Sequence, residues 1–303
     1  MSERRRTDPL PLGGDEPYSK GLMARALMRV GVSAVRAYEL ARRIEQDLTN
    51  RNAHAVELDR LQELACDVLG EPEGDDAVRR LRRYRDLEEL DLPIIVLIGG
   101  ATGSGKSTVA TEVAYRLGVT RVTSTDFVRQ TLRAFFSPEF MPSIHFSSFE
   151  AGSAFRSAEE EQVDPLLHGF LDQTRNVLVG VNAAIERSLA EGWSTVLEGV
   201  HLVPGMLAPI PDALVVQCVL AIESEEAHAG NFWIRDLSSN GMRPLDRYLE
   251  RLSDIRYLQD YIVERAEKED VPVILMNERE RATAAVLELV LEAADSLQEV
   301  PQK

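Results

Sequence analysis

A chain of 303 residues has room for one large domain or two modest ones around a substantial core. Its 44% hydrophobic and 28% charged content is that of an ordinary soluble globular protein, and no stretch approaches the ~18 apolar residues of a membrane span. With 34 basic against 50 acidic residues the formal charge is -16, which argues against nucleic acid or an anionic membrane surface as partner. Two distant cysteines, Cys66 and Cys218, argue against a disulfide scaffold or zinc site and leave the cytoplasm as the expected compartment.

The first 17 residues hold three arginines but lack the apolar centre of a signal peptide. With Pro9, Pro11, Gly13, Gly14 and Pro17 they read as a mobile leader. From Ser19 to about Leu69 the spacing is helical. Ser33 is placed to cap a helix bearing Ala37, Leu40, Ala41, Ile44 and Leu48, and a second runs through Val56, Leu58, Leu61, Leu64, Ala65 and Val68. The cluster Gly70-Glu71-Pro72-Glu73-Gly74-Asp75-Asp76 is expected to break the chain and end this layer. A short charged helix from Ala77 to Leu90 then carries Arg79, Arg80, Arg82, Arg83 and Arg85. It reads as a solvated face partnered by Asp86, Glu88 and Glu89 rather than an anion patch. Pro93 closes the segment, dividing a small helical domain over 18–92 from a larger one over 93–303.

After Pro93 short apolar runs alternate with helical segments. The runs are Ile94–Ile98, Arg121–Ser124, Thr195–Leu197, Ala213–Ala221 and Val271–Met276, with a final helix from about Arg279. Five strands separated by helices imply a parallel sheet with right-handed crossovers, an α/β doubly wound fold. The strands are β-branched and nearly all apolar, as strands buried on both faces should be.

Behind the first strand stands Gly100-Ala101-Thr102-Gly103-Ser104-Gly105-Lys106-Ser107, followed by Thr108, which satisfies GxxxxGK[ST] with a strand before it and a helix after it. Glycines let successive N–H groups turn inward as an anion nest, and the next helix adds the positive end of its dipole. Lys106 supplies a point charge for β- and γ-phosphates, and the Ser107 hydroxyl can ligate Mg²⁺. The segment is read as a nucleoside triphosphate site with ATP and Mg²⁺ as its occupants.

Two carboxylates are placed at the carboxyl edge of the sheet, where ligands sit in open α/β folds. Asp126 follows the second strand, either as a helix N-cap or as a group aimed at the site. Glu198 ends the third, either as an exposed strand end or as a ligand for substrate or the metal's water. Between strands four and five, about 223–268 form a polar helical insertion expected to act as a lid. Arg243, Arg247 and Arg251 share a face there, and Arg247 and Arg251 have acidic neighbours at helical spacing. Arg235 and Arg243 flank the turn "LSSNGMRP", where a hinged lid could bring guanidinium groups onto a transferring phosphate.

"IGGATGSGKSTVATEVAYRLGV", "STDFVRQTLR", "PSIHFSSFEAG", "VLEGVHLVPG" and "RYLERLSDIRYLQDYI" together resemble the 2-phosphoglycerate kinase family. "EPYSKGLMARALMRVGVSAVRAYELARRIEQDL" resembles an ATP-cone module, in degenerate form because its opening stretch, "TDPLPLGGD", is broken by proline and glycine. The resemblance spans about residues 16 to 276. It implies a P-loop kinase fold of five parallel strands with a helical lid, phosphorylating the free hydroxyl of 2-phosphoglycerate to give 2,3-bisphosphoglycerate. Gly100 to Thr108 would hold the ATP phosphates. Asp126, Glu198, His201, Arg235 and Arg243 would line the acceptor side, with Ser147 and Ser148 nearby, and Lys106, Asp126, Arg235 and Arg243 would be the catalytic set. His201 satisfying only a loop carbonyl, and His145 packing only beside Phe146, stay open beside that reading. Asn231 and Trp233 stand at the lid's entrance, where a more basic pattern is expected. Two other readings remain: a P-loop kinase for a nucleoside, sugar or other phosphorylated acid, and a nucleotide-sensing module without turnover.

Overall fold

The computed structural model describes residues 18–155, 164–238 and 245–298, so the leader at 1–17 and Arg243 lie outside the described residues. Contacts group the chain into two compact units, Met1–Asp91 with Ala294–Lys303, and Leu92–Ala293. Among the described residues no helix is long and apolar enough to cross a membrane.

The first unit contains α1 (Lys20–Arg29), α2 (Ala34–Arg51), α3 (Leu58–Leu69) and α4 (Glu71–Glu89). Apolar positions at helical spacing bury Leu40, Ile44 and Leu48 on α2, Leu61 and Leu64 on α3, and Leu81 and Leu87 on α4. The breaker cluster does not end this layer. The chain turns at Gly70 alone, with φ 86°, and α4 begins at the next residue rather than at Ala77. Pro72 falls in the first turn, where no intrahelical N–H bond is due, and Glu71 and Glu73 meet the positive end of the helix dipole. Gly74 is a contact residue: a Cβ there would come within 2.6 Å of the Cys66 backbone nitrogen, so α3 and α4 close through it. Some arginines of α4 form ion pairs along its own surface, Arg80 with Asp76 at 2.9 Å and Arg85 with Glu89 at 3.7 Å, while Arg83 pairs with Asp295 at 2.8 Å and the expected partner Glu88 pairs with Arg29 at 3.1 Å.

The second unit is built on one parallel sheet of β1 (Ile94–Gly99), β2 (Val122–Ser124), β3 (Thr195–Glu198), β4 (Leu214–Ala221) and β5 (Val273–Leu275), in the order β2-β3-β1-β4-β5. The crossovers are α5 (Lys106–Leu117) after β1, then α6 (Thr125–Phe135) and α7 (Pro165–Ala190) between β2 and β3. Between β4 and β5 come α8 (Glu225–Ser238), α9 (Leu245–Glu250) and α10 (Leu252–Lys268), and α11 (Arg279–Gln298) follows β5. One apolar cluster joins Ile95, Leu97 and Leu197 of the sheet to Val177, Val181 and Ile185 of α7. Another joins Val219 of β4 to Phe232 of α8 and to Ile255, Leu258 and Ile262 of α10.

That second cluster changes the reading of 223–268 as a lid. In α10, Leu252, Ile255, Leu258, Ile262 and Ala266 are buried in the core. They recur at i+3 and i+4 among the charges, so the helix is amphipathic, and its half-buried Arg256 and Arg265 donate to the carbonyls of Ile222, Glu223 and Pro204 beside it. The part of the insertion beside the phosphate loop is α8 and α9.

Candidate active site

Strand register explains why distant residues meet. Ile98 of β1 pairs with Glu198 of β3, and Ser124 of β2 pairs with the same Glu198. Three carboxyl ends therefore lie side by side where the chain order reverses, which is where open α/β sheets hold ligands.

The loop after β1 turns into α5 through Gly105, whose φ of 81° lies in the left-handed region and suits a residue without a Cβ. Lys106 is buried; its Nζ donates to the Ala101 carbonyl at 2.6 Å and approaches Ser104 Oγ at 3.4 Å. Ser107 Oγ donates to Glu198 Oε1 at 2.9 Å. Glu198 is 5% exposed, a carboxylate in the last position of a buried strand, and the strand-end reading of an exposed residue does not apply. Gly199 makes the next turn possible: its φ is 154°, and a Cβ would stand 1.8 Å from Thr125 Oγ1.

At the head of α6 the cap is Ser124, whose Oγ accepts from the Asp126 backbone nitrogen at 3.2 Å. The Asp126 carboxylate is thus not spent on capping. Desolvation pushes its carboxyl up, but the Arg129 guanidinium and Lys106, both charged at neutral pH, hold it below the ordinary value. It is ionised at neutral pH. Arg129, one turn on, is 7% exposed; Nη1 donates to the carbonyls of Ile144 at 3.0 Å and Phe146 at 2.8 Å, and Nε reaches Asp126 Oδ1 at 3.3 Å.

His201 stands behind these residues and does not face a cavity. It is fully buried, with Nδ1 2.8 Å from Thr125 Oγ1 and Nε2 3.0 Å from Gln173 Oε1. Gln173 Nε2 donates to Ser143 O at 2.6 Å and Phe146 O at 3.1 Å, so its Oε1 must accept. The proton is therefore assigned to His201 Nε2, and Nδ1 accepts from the Thr125 hydroxyl. The sequence expectation of an acceptor ligand at His201 is corrected to a support: no ring nitrogen is left for a ligand.

Burial lowers the His201 pKa to about 4. Above the unfolded value of 6.5 both states hold a neutral ring; as pH falls from 6.5 towards 4 only the unfolded chain takes up the proton, so stability is lost across that window. The loss should reach about 3 kcal/mol by pH 4. Urea titrations of wild type and His201→Asn at a series of pH values should show a steeper fall in the wild type. Parallel curves would contradict the assignment of a buried neutral ring.

Two cavities open on this framework. The larger, about 700 Å³, is lined by Gly103, Lys106, Ser107, Asp126 and Glu198. Its far wall is Ile234 of α8 with Met276, Glu278 and Arg279 after β5. The smaller, about 380 Å³, is lined by Thr102, Asp126, Arg129, Ser147, Ser148 and Tyr248. Asp126 and Thr102 belong to both, so the carboxylate stands where one space passes into the other.

α8 is fastened to the phosphate loop. His228 Nε2 lies 2.8 Å from the Thr102 carbonyl, Asn231 Nδ2 donates to Gly103 O at 2.9 Å, and the Phe232 ring stacks on Tyr248 at 4.8 Å. Of the two residues at the lid's entrance, Asn231 is thus spent on a hydrogen bond and Trp233 is exposed, so neither brings positive charge there. Arg235 lies on α8 next to Ile234. Arg247 donates to Ser147 Oγ at 3.1 Å and pairs with Glu150, while His145 Nε2 meets the Phe136 carbonyl at 3.0 Å, away from both cavities. Arg129 and Ile234 were not singled out from the sequence. The only signal for Arg129 was its place three residues after Asp126, on the same side of a helix.

No protein-family model matches the chain. Curated relatives match most of it. A 2-phosphoglycerate kinase of Methanopyrus kandleri is 37% identical over 262 residues, covering 85% of this chain and 79% of its own length. The 2-phosphoglycerate kinase of Methanothermobacter thermautotrophicus is 38% identical over 86% of this chain and 85% of its own length. That of Methanococcus maripaludis strain C7 is 35% identical over 95% of this chain and 93% of its own length. Among solved structures, a gluconokinase from Sinorhizobium meliloti superposes with a TM-score of 0.38 at 15% identity, covering 68% of this chain and 97% of its own.

Proposed function

The chain belongs to the 2-phosphoglycerate kinase family, and from that membership we propose that it transfers the γ-phosphoryl group of ATP to the free hydroxyl of 2-phosphoglycerate, yielding 2,3-bisphosphoglycerate and ADP. It is a phosphotransferase with an alcohol acceptor. The observation that carries the site assignment is the pair of adjoining cavities with Asp126 between them. The triphosphate occupies the larger, against the loop from Gly100 to Thr108, and the acceptor occupies the smaller.

In this reading the loop's N–H groups and Lys106 hold the β- and γ-phosphates, and the N-terminus of α5 adds its dipole. The ionised Asp126 accepts a hydrogen bond from the acceptor hydroxyl and aims its oxygen at the γ-phosphorus. A new O–P bond forms there as the bond to the β–γ bridging oxygen breaks, and the hydroxyl proton passes to Asp126 or to water. Arg235 and Arg243 are proposed to meet the transferring charge. Ser147 and Ser148 border the acceptor.

Magnesium fits the donor set. A hydroxyl and a carboxylate, both hard oxygens, lie 2.9 Å apart at the loop, and among the described residues no group of three His, Cys, Asp or Glu side chains gathers as a cage. That matches an ion that takes few protein ligands and keeps its bonds to phosphate and water. Ser107 would hold it, with Glu198 orienting its water; when bound it neutralises charge on the phosphate oxygens.

The test is ADP release from Mg²⁺-ATP with 2-phosphoglycerate, 3-phosphoglycerate, glycerate or no acceptor. Stimulation by 2-phosphoglycerate above the other acids is expected. Slow hydrolysis indifferent to all of them would instead favour a nucleotide-sensing protein.

A further inference from the structure

The smaller cavity contains a cation whose binding capacity is only part used. Arg129 is buried on α6, and its side chain is held on two sides: Nη1 by the carbonyls of Ile144 and Phe146, Nε by Asp126. Nη2 makes no hydrogen bond to the described residues, although Arg129 lines the cavity. A guanidinium has five donors in a fixed fork, and its charge is not removed at any physiological pH. That idle edge opens on the cavity, where its two N–H groups are available to an anion.

The edge is rigid as well as idle. The carbonyls that grip Nη1 belong to the 3-10 turn Ser143–His145 and the residue after it, and that turn is tied to Gln173 through Ser143 O and Phe146 O. Gln173 is in turn fixed by His201, and His201 by Thr125 at the start of α6. The chain of bonds runs from one side of Arg129 round to the other. An arginine that merely tied α6 to the turn would need the two carbonyl bonds and nothing more.

We infer that Arg129 is the specificity-determining anchor for the phosphate that the acceptor already carries, gripping it through Nη2. The inference deepens the proposed function and rests on its assignment of the smaller cavity to the acceptor. Hydroxyl donors stand on the same wall: Ser148 Oγ lies 3.4 Å from Thr102 Oγ1, and both residues line the cavity. A guanidinium edge with neighbouring hydroxyls suits the several oxygens of a phosphate better than the two of a carboxylate. The carboxylate of Asp126 sits on the Nε side of Arg129, so the anion and the hydroxyl-orienting group are held apart by the guanidinium itself. An acceptor phosphate on Nη2 leaves the neighbouring hydroxyl to approach Asp126.

Two measurements test this. In Arg129→Gln, KM for 2-phosphoglycerate should rise by about 10- to 100-fold while KM for ATP stays within about twofold. Arg129→Lys, which keeps the charge and can still reach the carbonyls, should fall between. Independently, with the phosphate loop saturated by a non-hydrolysable ATP analogue, calorimetry should show inorganic phosphate binding to wild type and binding at least about tenfold more weakly to Arg129→Gln. Unchanged phosphate affinity, or KM for ATP rising in step with that for 2-phosphoglycerate, would overturn the anchor and leave Arg129 as a structural tie. Failure of the wild type to turn over 2-phosphoglycerate would strike the proposed function instead, and the phosphate titration would still decide the anchor.

Discussion

Replacing Lys106 by alanine should lower kcat/KM for ATP by about 10³-fold, with most of the loss in kcat. The ammonium is the side-chain cation that the loop itself brings to the larger cavity, with Arg279 on the far wall. It lies in a buried corner where charge is poorly screened by water, so its contribution to a developing phosphoryl charge exceeds that of a surface lysine. In this structure Nζ donates to Ala101 O and Ser104 Oγ, contacts within its own loop. Moving from those acceptors to phosphate oxygens is a short reach on a flexible stem. The loop's shape is set by its glycines and by His228 and Asn231, which hold the carbonyls of Thr102 and Gly103 from outside. The alanine variant should therefore keep its fold, with the melting temperature shifted by a few degrees at most. Lys106→Arg should not restore the rate, because the planar fork is bulkier and the corner is already filled. Single-turnover measurements of ADP formation would check this; a variant retaining more than about a tenth of wild-type turnover would remove Lys106 from the catalytic set.

Much of the second unit was readable because each of its signals is local. A β-branched run such as Ile94–Ile98, buried on both faces, has few alternatives to a central parallel strand, and it became β1. GxxxxGK[ST] behind such a strand carries its own geometry. Three things were not local. Gly70 to Asp76 has a breaker composition, yet only Gly70 breaks, since Pro72 and the acidic residues suit a helix start and Gly74 suits a close helix crossing. The apolar face of α10 was hidden by its arginines, because charge density and amphipathic period are separate properties and only the second decides burial. His201 and Arg129 depended on tertiary contacts spanning from about 15 to 76 residues, and nothing in "VLEGVHLVPG" or "STDFVRQTLR" says which histidine nitrogen or guanidinium edge will find a partner.

Acidity of the whole chain and anion binding at the site are compatible for the same reason. A formal charge of -16 is spread over an exposed surface where salt screens it beyond roughly 10 Å. Lys106 and Arg129 are buried and act over a few ångströms, at the two cavities they line.

Asp126→Asn is the substitution that separates binding from transfer. The amide is nearly isosteric and can still accept from Arg129 Nε, so α6 and its Ser124 cap should be undisturbed. What is lost is the negative charge at the junction of the two cavities. An ionised carboxylate both orients an acceptor hydroxyl and draws its proton as the oxygen bonds to phosphorus; an amide oxygen does the first weakly and the second hardly at all. The expected result is a fall in kcat of about 10²- to 10⁴-fold, with KM for ATP little changed. The carboxyl is held below its ordinary value, so the wild-type rate should lose no activity to Asp126 protonation anywhere between pH 6 and 8. A plateau there in kcat for the wild type, with the same plateau at a far lower level in the variant, fits a charge that is always present when the enzyme is whole. Equal losses in kcat/KM for ATP and for the acceptor, with kcat unchanged, would instead place Asp126 in ground-state binding and leave the orientation of the hydroxyl to another group.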